Sequence, residues 1–222
     1  MLISHKYKFL FVAVPKTATT SIQECLLEFG DCELVPPKHK YAKQAKAELA
    51  PEIWDEYFKF AFVRNPYDWM LSWYFYRQQP QFREGKRHQS YTGNTSFEDF
   101  IRFDKEWPTT QIEFLTDDDG KCLVDFIGRY ENLQHDFNVV CTQLDLPEFK
   151  LPARNVSAND VSPDRFYKGD LANIVKQRET WLIEKFNYQP SYKQDRLKGR
   201  SIFKYAKSKV RATLSKLRRS LF

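Results

Sequence analysis

A chain of 222 residues, 42% of them hydrophobic and 16% aromatic, has apolar surface enough for one sizeable core and is not a disordered polymer. Its formal charge of +6 is unevenly spread: ten Lys or Arg and no acid fall between Arg196 and Phe222, leaving 25 basic against 29 acidic groups over residues 1–195. No apolar run reaches the ~18 residues of a membrane-spanning helix, and Met1-Leu2-Ile3-Ser4-His5-Lys6 lacks the layout of a secretory signal. The chain as given therefore reads as cytoplasmic, or as a soluble domain cut from something longer. Four cysteines without CxxC spacing or a partnering histidine pattern argue for reduced thiols and against a zinc site.

Along the chain, Lys8–Val14 is a nearly continuous apolar run stopped by Pro15, the pattern of a strand buried on both faces. A helix is predicted from about Thr20 to Phe29, with Ile22, Leu26, Leu27 and Phe29 on its apolar face and Gly30 ending it. Glu33–Val35 reads as a short strand, followed by helical patterns over 42–49 and 51–57. Lys59–Arg64 repeats the buried-strand theme, and Asn65-Pro66 opens a helix running to about Gln79. Residues 80–96 are polar and turn-rich, a long surface loop of the kind that often faces substrate. A further strand at Cys122–Ile127 precedes a helix from about Glu131 to Leu144, and Pro163–Tyr188 is mainly helical. Strand–helix alternation implies an α/β fold, a parallel sheet with helices on both faces, whose ligands bind at the carboxyl ends of the strands.

The loop Pro15-Lys16-Thr17-Ala18-Thr19-Thr20-Ser21 falls at such an end. Between a strand and a helix N-terminus, unpaired backbone N–H groups and the helix dipole favour an anion; Lys16 adds a full charge, and four hydroxyls add donors. The competing reading is helix N-capping by Thr or Ser, which one hydroxyl satisfies. No glycine lies between Lys8 and Gly30, so this is not a Walker A loop. Arg64, at a second strand end, and Ser72, eight residues later, suit a second phosphate, although Arg64 alone is equally a structural ion-pair partner.

Val14–Ser21, followed by Phe60–Asp68 and Ser72, resembles the carbohydrate sulfotransferases of the membrane-associated and bacterial type; Asp125–Leu133 looks like that family's third block. The resemblance runs from about Phe9 to Leu146, with weaker echoes to about Tyr188. It implies a three-layer, P-loop-NTPase-like fold over residues 1–195 and the donor 3′-phosphoadenosine 5′-phosphosulfate, used without a metal. It further implies transfer of the sulfuryl group to a carbohydrate hydroxyl by in-line displacement. By resemblance, Lys16 contacts the bridging or sulfuryl oxygens, Pro15–Ser21 hold the 5′-phosphosulfate, and Arg64 and Ser72 hold the 3′-phosphate. Arg129 adds a cation near the nucleotide or pairs with Glu131. Ala18 stands where the family often has glycine, which is harmless if the backbone there keeps a negative φ.

An acceptor hydroxyl must lose its proton, and histidine is the natural base near neutral pH. Of His5, His39, His88 and His135, His39 is the candidate: it follows Pro36-Pro37-Lys38 and stands three residues before Ala42, a family pattern. The alternative is a solvated histidine in a basic turn. His88 suits acceptor contact and His135 a structural role in a helix. Residues 196–222 form a basic amphipathic pattern that fits an anionic membrane surface, a protein partner, or packing on the acidic body; no nucleic-acid module is recognisable. The same anion sites would also serve a nucleotide- or polyanion-binding module without catalysis, and more remotely a P-loop kinase.

Overall fold

The computed structural model describes residues 1–104, 109–152 and 163–190. The amphipathic segment 196–222 lies outside them. Five strands form one sheet in the order β3-β1-β2-β4-β5: β1 Leu2–Ser4, β2 Phe9–Val12, β3 Glu33–Leu34, β4 Phe58–Val63 and β5 Phe126–Arg129. Only β2, β4 and β5 run parallel; β1 pairs antiparallel with both β2 and β3. The sheet is therefore mixed, where strand–helix alternation predicts a parallel one. Leu2–Ser4 is too short to show a period, and only its register against Phe9–Phe11 makes it a strand.

Successive residues of the central strands point to opposite faces, and each face buries its own core. Phe9, Phe11, Phe60 and Phe62 pack beneath α1 (Thr19–Phe29) and α6 (Leu133–Gln143). Leu10, Val12, Ala61 and Val63 face the other way. There they meet α2 (Ala42–Glu48), α3 (Pro51–Glu56), α4 (Pro66–Tyr76), α5 (Phe97–Phe103), α7 (Leu171–Arg178) and α8 (Thr180–Phe186). Helices thus cover both faces, and side chains such as Phe11, Phe60 and Trp69, fully buried, each contribute roughly 1.5–3 kcal/mol of apolar burial. Gly128 in β5 is dictated by that packing: a Cβ there would lie 2.4 Å from the Phe62 ring.

Other boundaries move for tertiary reasons. The last parallel strand starts at Phe126, not Cys122, because Cys122 forms an antiparallel bridge with Thr116 and the Leu123 N–H donates to the Leu115 carbonyl at 2.8 Å. In α1, Ile22, Cys25 and Leu26 are buried while Leu27 is exposed. Residues 80–96 hold two 3₁₀ turns, Pro80–Phe82 and Gly85–Ser90. Among the described residues, no helix is long and apolar enough to cross a membrane.

Candidate active site

The Pro15–Ser21 loop leaves β2 and enters α1 with alternating backbone handedness: Lys16 has φ 67° and Ala18 has φ 61°. The expected negative φ at Ala18 is thus corrected; the residue sits in the left-handed region, where a side chain costs about 1–2 kcal/mol. That alternation turns consecutive N–H groups toward one side, the geometry of an anion nest. Ala18 is the N-cap and offers no capping side chain, and the first helical bond is from Ile22 N–H to the Ala18 carbonyl. The N–H groups of Thr19, Thr20 and Ser21 therefore precede the helical ladder.

The hydroxyls do other work. Thr17 and Thr19 are both buried and donate to the same Val14 carbonyl, at 2.9 and 2.6 Å, locking the loop from inside. Ser21 is buried, and the Thr20 hydroxyl accepts from Lys38 Nζ at 3.1 Å. Pro15 is fixed through its carbonyl, which accepts from Trp69 Nε1 at 2.8 Å. N-capping by a hydroxyl is thereby ruled out, and the first backbone donors of α1 are left for another acceptor.

Lys16 Nζ lies 3.9 Å from the centroid of the Tyr76 ring. Burial first, and then the Arg64 charge, push its pKa down to about 8. Arg64 leaves the end of β4, the strand beside β2, and its guanidinium stacks 4.3 Å from the Tyr130 ring centroid. Its Nε is buried and has no acceptor among the described residues. Neither cation forms an ion pair with a described carboxylate. Two partly desolvated positive charges side by side, neither in an ion pair with a described carboxylate, suit an anion from outside.

Ser72 sits half-buried on α4, on the helix face that carries Trp69 and Tyr76, the two residues that touch the loop. No hydrogen bond joins it to Arg64. Arg129 ends β5; its N–H is held by Asp136 Oδ2 at 2.8 Å and its guanidinium by the Asn132 amide oxygen, so its bonds stay within its own turn. Glu131 is not its partner: that carboxylate accepts from Asn65 N–H at 2.6 Å and Tyr188 Oη at 3.0 Å.

His39 is half-buried beside the loop. Its Nδ1 is 2.7 Å from the Ala13 carbonyl, and a carbonyl only accepts, so Nδ1 carries the proton and the neutral ring keeps its lone pair on Nε2. Burial, then the nearby Lys38 charge, lower its pKa from the ordinary value. His88 donates through Nδ1 to the Arg83 carbonyl and stacks on Tyr91, His135 is exposed in α6, and His5 meets Tyr57. Only His39 is tied to the strand that leads into the anion loop.

Of the aromatic residues between 69 and 91, most interlock edge to face: Trp69 with Trp73, Trp73 with Tyr76, and Tyr76 with Phe82. Sequence pattern does not single out Trp69, Tyr130, Gln111 or Glu131 by role; Trp69 lies between the second motif and Ser72, Tyr130 and Glu131 lie in the third block, and Gln111 lies in no recognisable motif.

This site can be set beside known proteins. The profile of the Sulfotransferase family matches residues 1–195. The chain belongs to that family. It is 27% identical over 203 residues to carbohydrate sulfotransferase 14 of Homo sapiens and of Mus musculus, an alignment that takes in 75% of this chain and 52% of theirs. The chain thus spans about half the length of these curated relatives. An uncharacterized protein of Archaeoglobus fulgidus is 34% identical over 115 residues, covering 50% of this chain and 88% of its own length. No solved structure matches.

Proposed function

We propose that this sulfotransferase takes its sulfuryl group from 3′-phosphoadenosine 5′-phosphosulfate and passes it to a carbohydrate hydroxyl. The observation that carries the donor is the pair of cations outside any ion pair with a described carboxylate, Lys16 and Arg64, at the ends of adjacent parallel strands, with a buried Arg64 Nε that lacks an acceptor among the described residues. A nucleotide with phosphate at both the 5′ and 3′ positions fits such a pair. The Pro15–Ser21 loop takes the 5′-phosphosulfate through backbone N–H groups, with Thr17 and Thr19 acting as struts and Thr20, with Lys38, at the rim. Arg64 takes the 3′-phosphate, with Ser72 as a second donor on the adjacent helix face and Arg129 as a more distant cation.

The donor supplies an electrophilic sulfur and a stable leaving phosphate. Lys16 holds positive charge where negative charge builds on the oxygen that leaves the sulfur. His39 Nε2 accepts the proton of the attacking hydroxyl, while the Ala13 carbonyl fixes the tautomer that leaves Nε2 free. That same arrangement favours turnover over a module that only binds.

A carbohydrate acceptor is supported by the distant likeness to carbohydrate sulfotransferase 14. Calorimetry with 3′-phosphoadenosine 5′-phosphate tests the donor, and saturable binding with a clear preference over adenosine 5′-phosphate is the expected result. Absence of binding overturns the assignment.

A further inference from the structure

We infer that Gln111 and Glu131 are positioning residues for Arg64, so that reading of the donor's 3′-phosphate depends on two side chains that do not touch it. This inference rests on the donor assignment above.

The last ladder pair of β4 is Val63 with Arg129, and β2 stops pairing with β4 at Ala61. The Arg64 peptide therefore projects past both neighbouring strands, yet its N–H and C=O still need partners away from water. Gln111, fully buried, supplies both: its Oε1 accepts from Arg64 N–H at 2.8 Å, and its Nε2 donates to the Arg64 carbonyl at 2.9 Å. A primary amide is the side chain that offers one donor and one acceptor in this way, and it extends the sheet by one residue as a strand would. Glutamate would set an oxygen against the Arg64 carbonyl, and leucine would leave both groups orphaned. Gln111 is itself anchored, since its N–H donates to Glu179 Oε1 at 3.1 Å in the interior.

The next peptide is held with equal care. Asn65 N–H donates to Glu131 Oε1 at 2.6 Å, the other Glu131 oxygen takes the Tyr188 hydroxyl, and Asn65 Nδ2 donates to the Gln189 carbonyl. Three segments far apart in sequence thus converge on two residues. What they fix is the root of a guanidinium whose tip lies along the Tyr130 ring with Nε lacking an acceptor.

Glu131 also has an electrical role in this arrangement. Its carboxyl faces Arg64, the Asn65 N–H and the Tyr188 hydroxyl; burial raises its pKa to about 7, with these neighbours opposing the rise. The other buried carboxyl of the cluster, Glu179, beside Arg178 and Glu113, is raised to about 8. A phosphate dianion on Arg64 cancels the charge that holds Glu131 ionised, so donor binding near pH 7 draws a proton onto Glu131.

The test is calorimetry on the full chain with 3′-phosphoadenosine 5′-phosphate and adenosine 5′-phosphate, each in two buffers of different ionisation enthalpy at pH 7. In the unsubstituted protein the 3′-phosphate should strengthen binding roughly 10- to 100-fold, the worth of a charge-assisted pair, with net proton uptake. Gln111→Leu should shrink that preference to roughly a few-fold at most while adenosine 5′-phosphate binding persists. An undiminished preference in a cooperatively melting Gln111→Leu protein overturns the role of Gln111. If that variant does not fold, Gln111→Glu replaces it under the same criterion. Glu131→Gln keeps the acceptor for Asn65 N–H but cannot titrate, so the extra proton uptake that the 3′-phosphate adds over adenosine 5′-phosphate should vanish; persistence of that difference overturns the role of Glu131. If the unsubstituted protein binds neither nucleotide, the donor assignment itself falls, an outcome distinct from either of these.

Discussion

At the end of β2 the chain closes a loop on itself: Thr17 and Thr19 bond back to Val14, three and five residues away. At the end of β4 nothing local does this work. Arg64 and Asn65 are held by Gln111, Glu131 and Gln189, at sequence separations of 47, 66 and 124. The first site carries strain in its backbone, with Lys16 and Ala18 both left-handed. The second opens conventionally, with the Asn65 side chain accepting from Tyr67 N–H and Pro66 at the first helical position. On the proposed assignment, the loop for the reacting end of the donor is built locally and under strain, whereas the loop for its far phosphate is relaxed but dependent on the rest of the fold.

The largest expected effects separate binding from chemistry within the first region. Lys16→Ala should weaken binding of 3′-phosphoadenosine 5′-phosphate and lower kcat, with kcat/KM down roughly 10²–10³-fold or more. His39→Ala should lower kcat about 10²–10⁴-fold while nucleotide affinity changes little. Steady-state kinetics alongside calorimetry distinguishes them; a His39→Ala protein with ordinary turnover removes that residue from the base role.

Next in size is the pH profile of kcat/KM. His39 must be neutral to accept a proton, and burial lowers its pKa, so the acidic limb should lie below the ordinary histidine value of 6.5. Lys16 must be charged to hold the donor, and its pKa of about 8 places the alkaline limb there. The bound donor's negative charge favours the protonated lysine, so the corresponding limb of kcat should move to higher pH. A flat alkaline side to pH 9 would separate Lys16 from catalysis.

The smallest effect concerns strain. Ala18→Gly relieves the roughly 1–2 kcal/mol of left-handed alanine but adds about 0.4–1 kcal/mol of unfolded-state entropy. The net gain is on the order of 1 kcal/mol, a rise of a few degrees in melting temperature for a chain this size. A drop in melting temperature would mean that the methyl group packs usefully against the loop.

Much of this was legible before any fold was known, and the two regions show why. The first motif is made of neighbours in sequence, so its lysine, its hydroxyls and the flanking strand and helix all announce themselves together. The handedness of Ala18 does not, because nothing in the residue type demands a positive φ. Arg64 is visible as a charge at a strand end, but its supports are ordinary glutamines and glutamates elsewhere in the chain. His39 reads in sequence equally as a base or as a solvated side chain, and its Nδ1 contact with the Ala13 carbonyl is a tertiary one that no local pattern announces.

What the sequence by itself determined is the set of parts: apolar runs that must be buried on both faces, a lysine-bearing turn before a helix, an arginine at the next strand's end, and a histidine between them. Those follow from short-range pattern and side-chain chemistry. Only the tertiary structure decided that β1 runs antiparallel at the sheet's other side, that the Thr17 and Thr19 hydroxyls turn inward onto the Val14 carbonyl, and that Gln111 completes the strand bearing Arg64. The physical reason is that these depend on which distant groups are left without hydrogen-bond partners once the sheet has formed, and that is settled by packing.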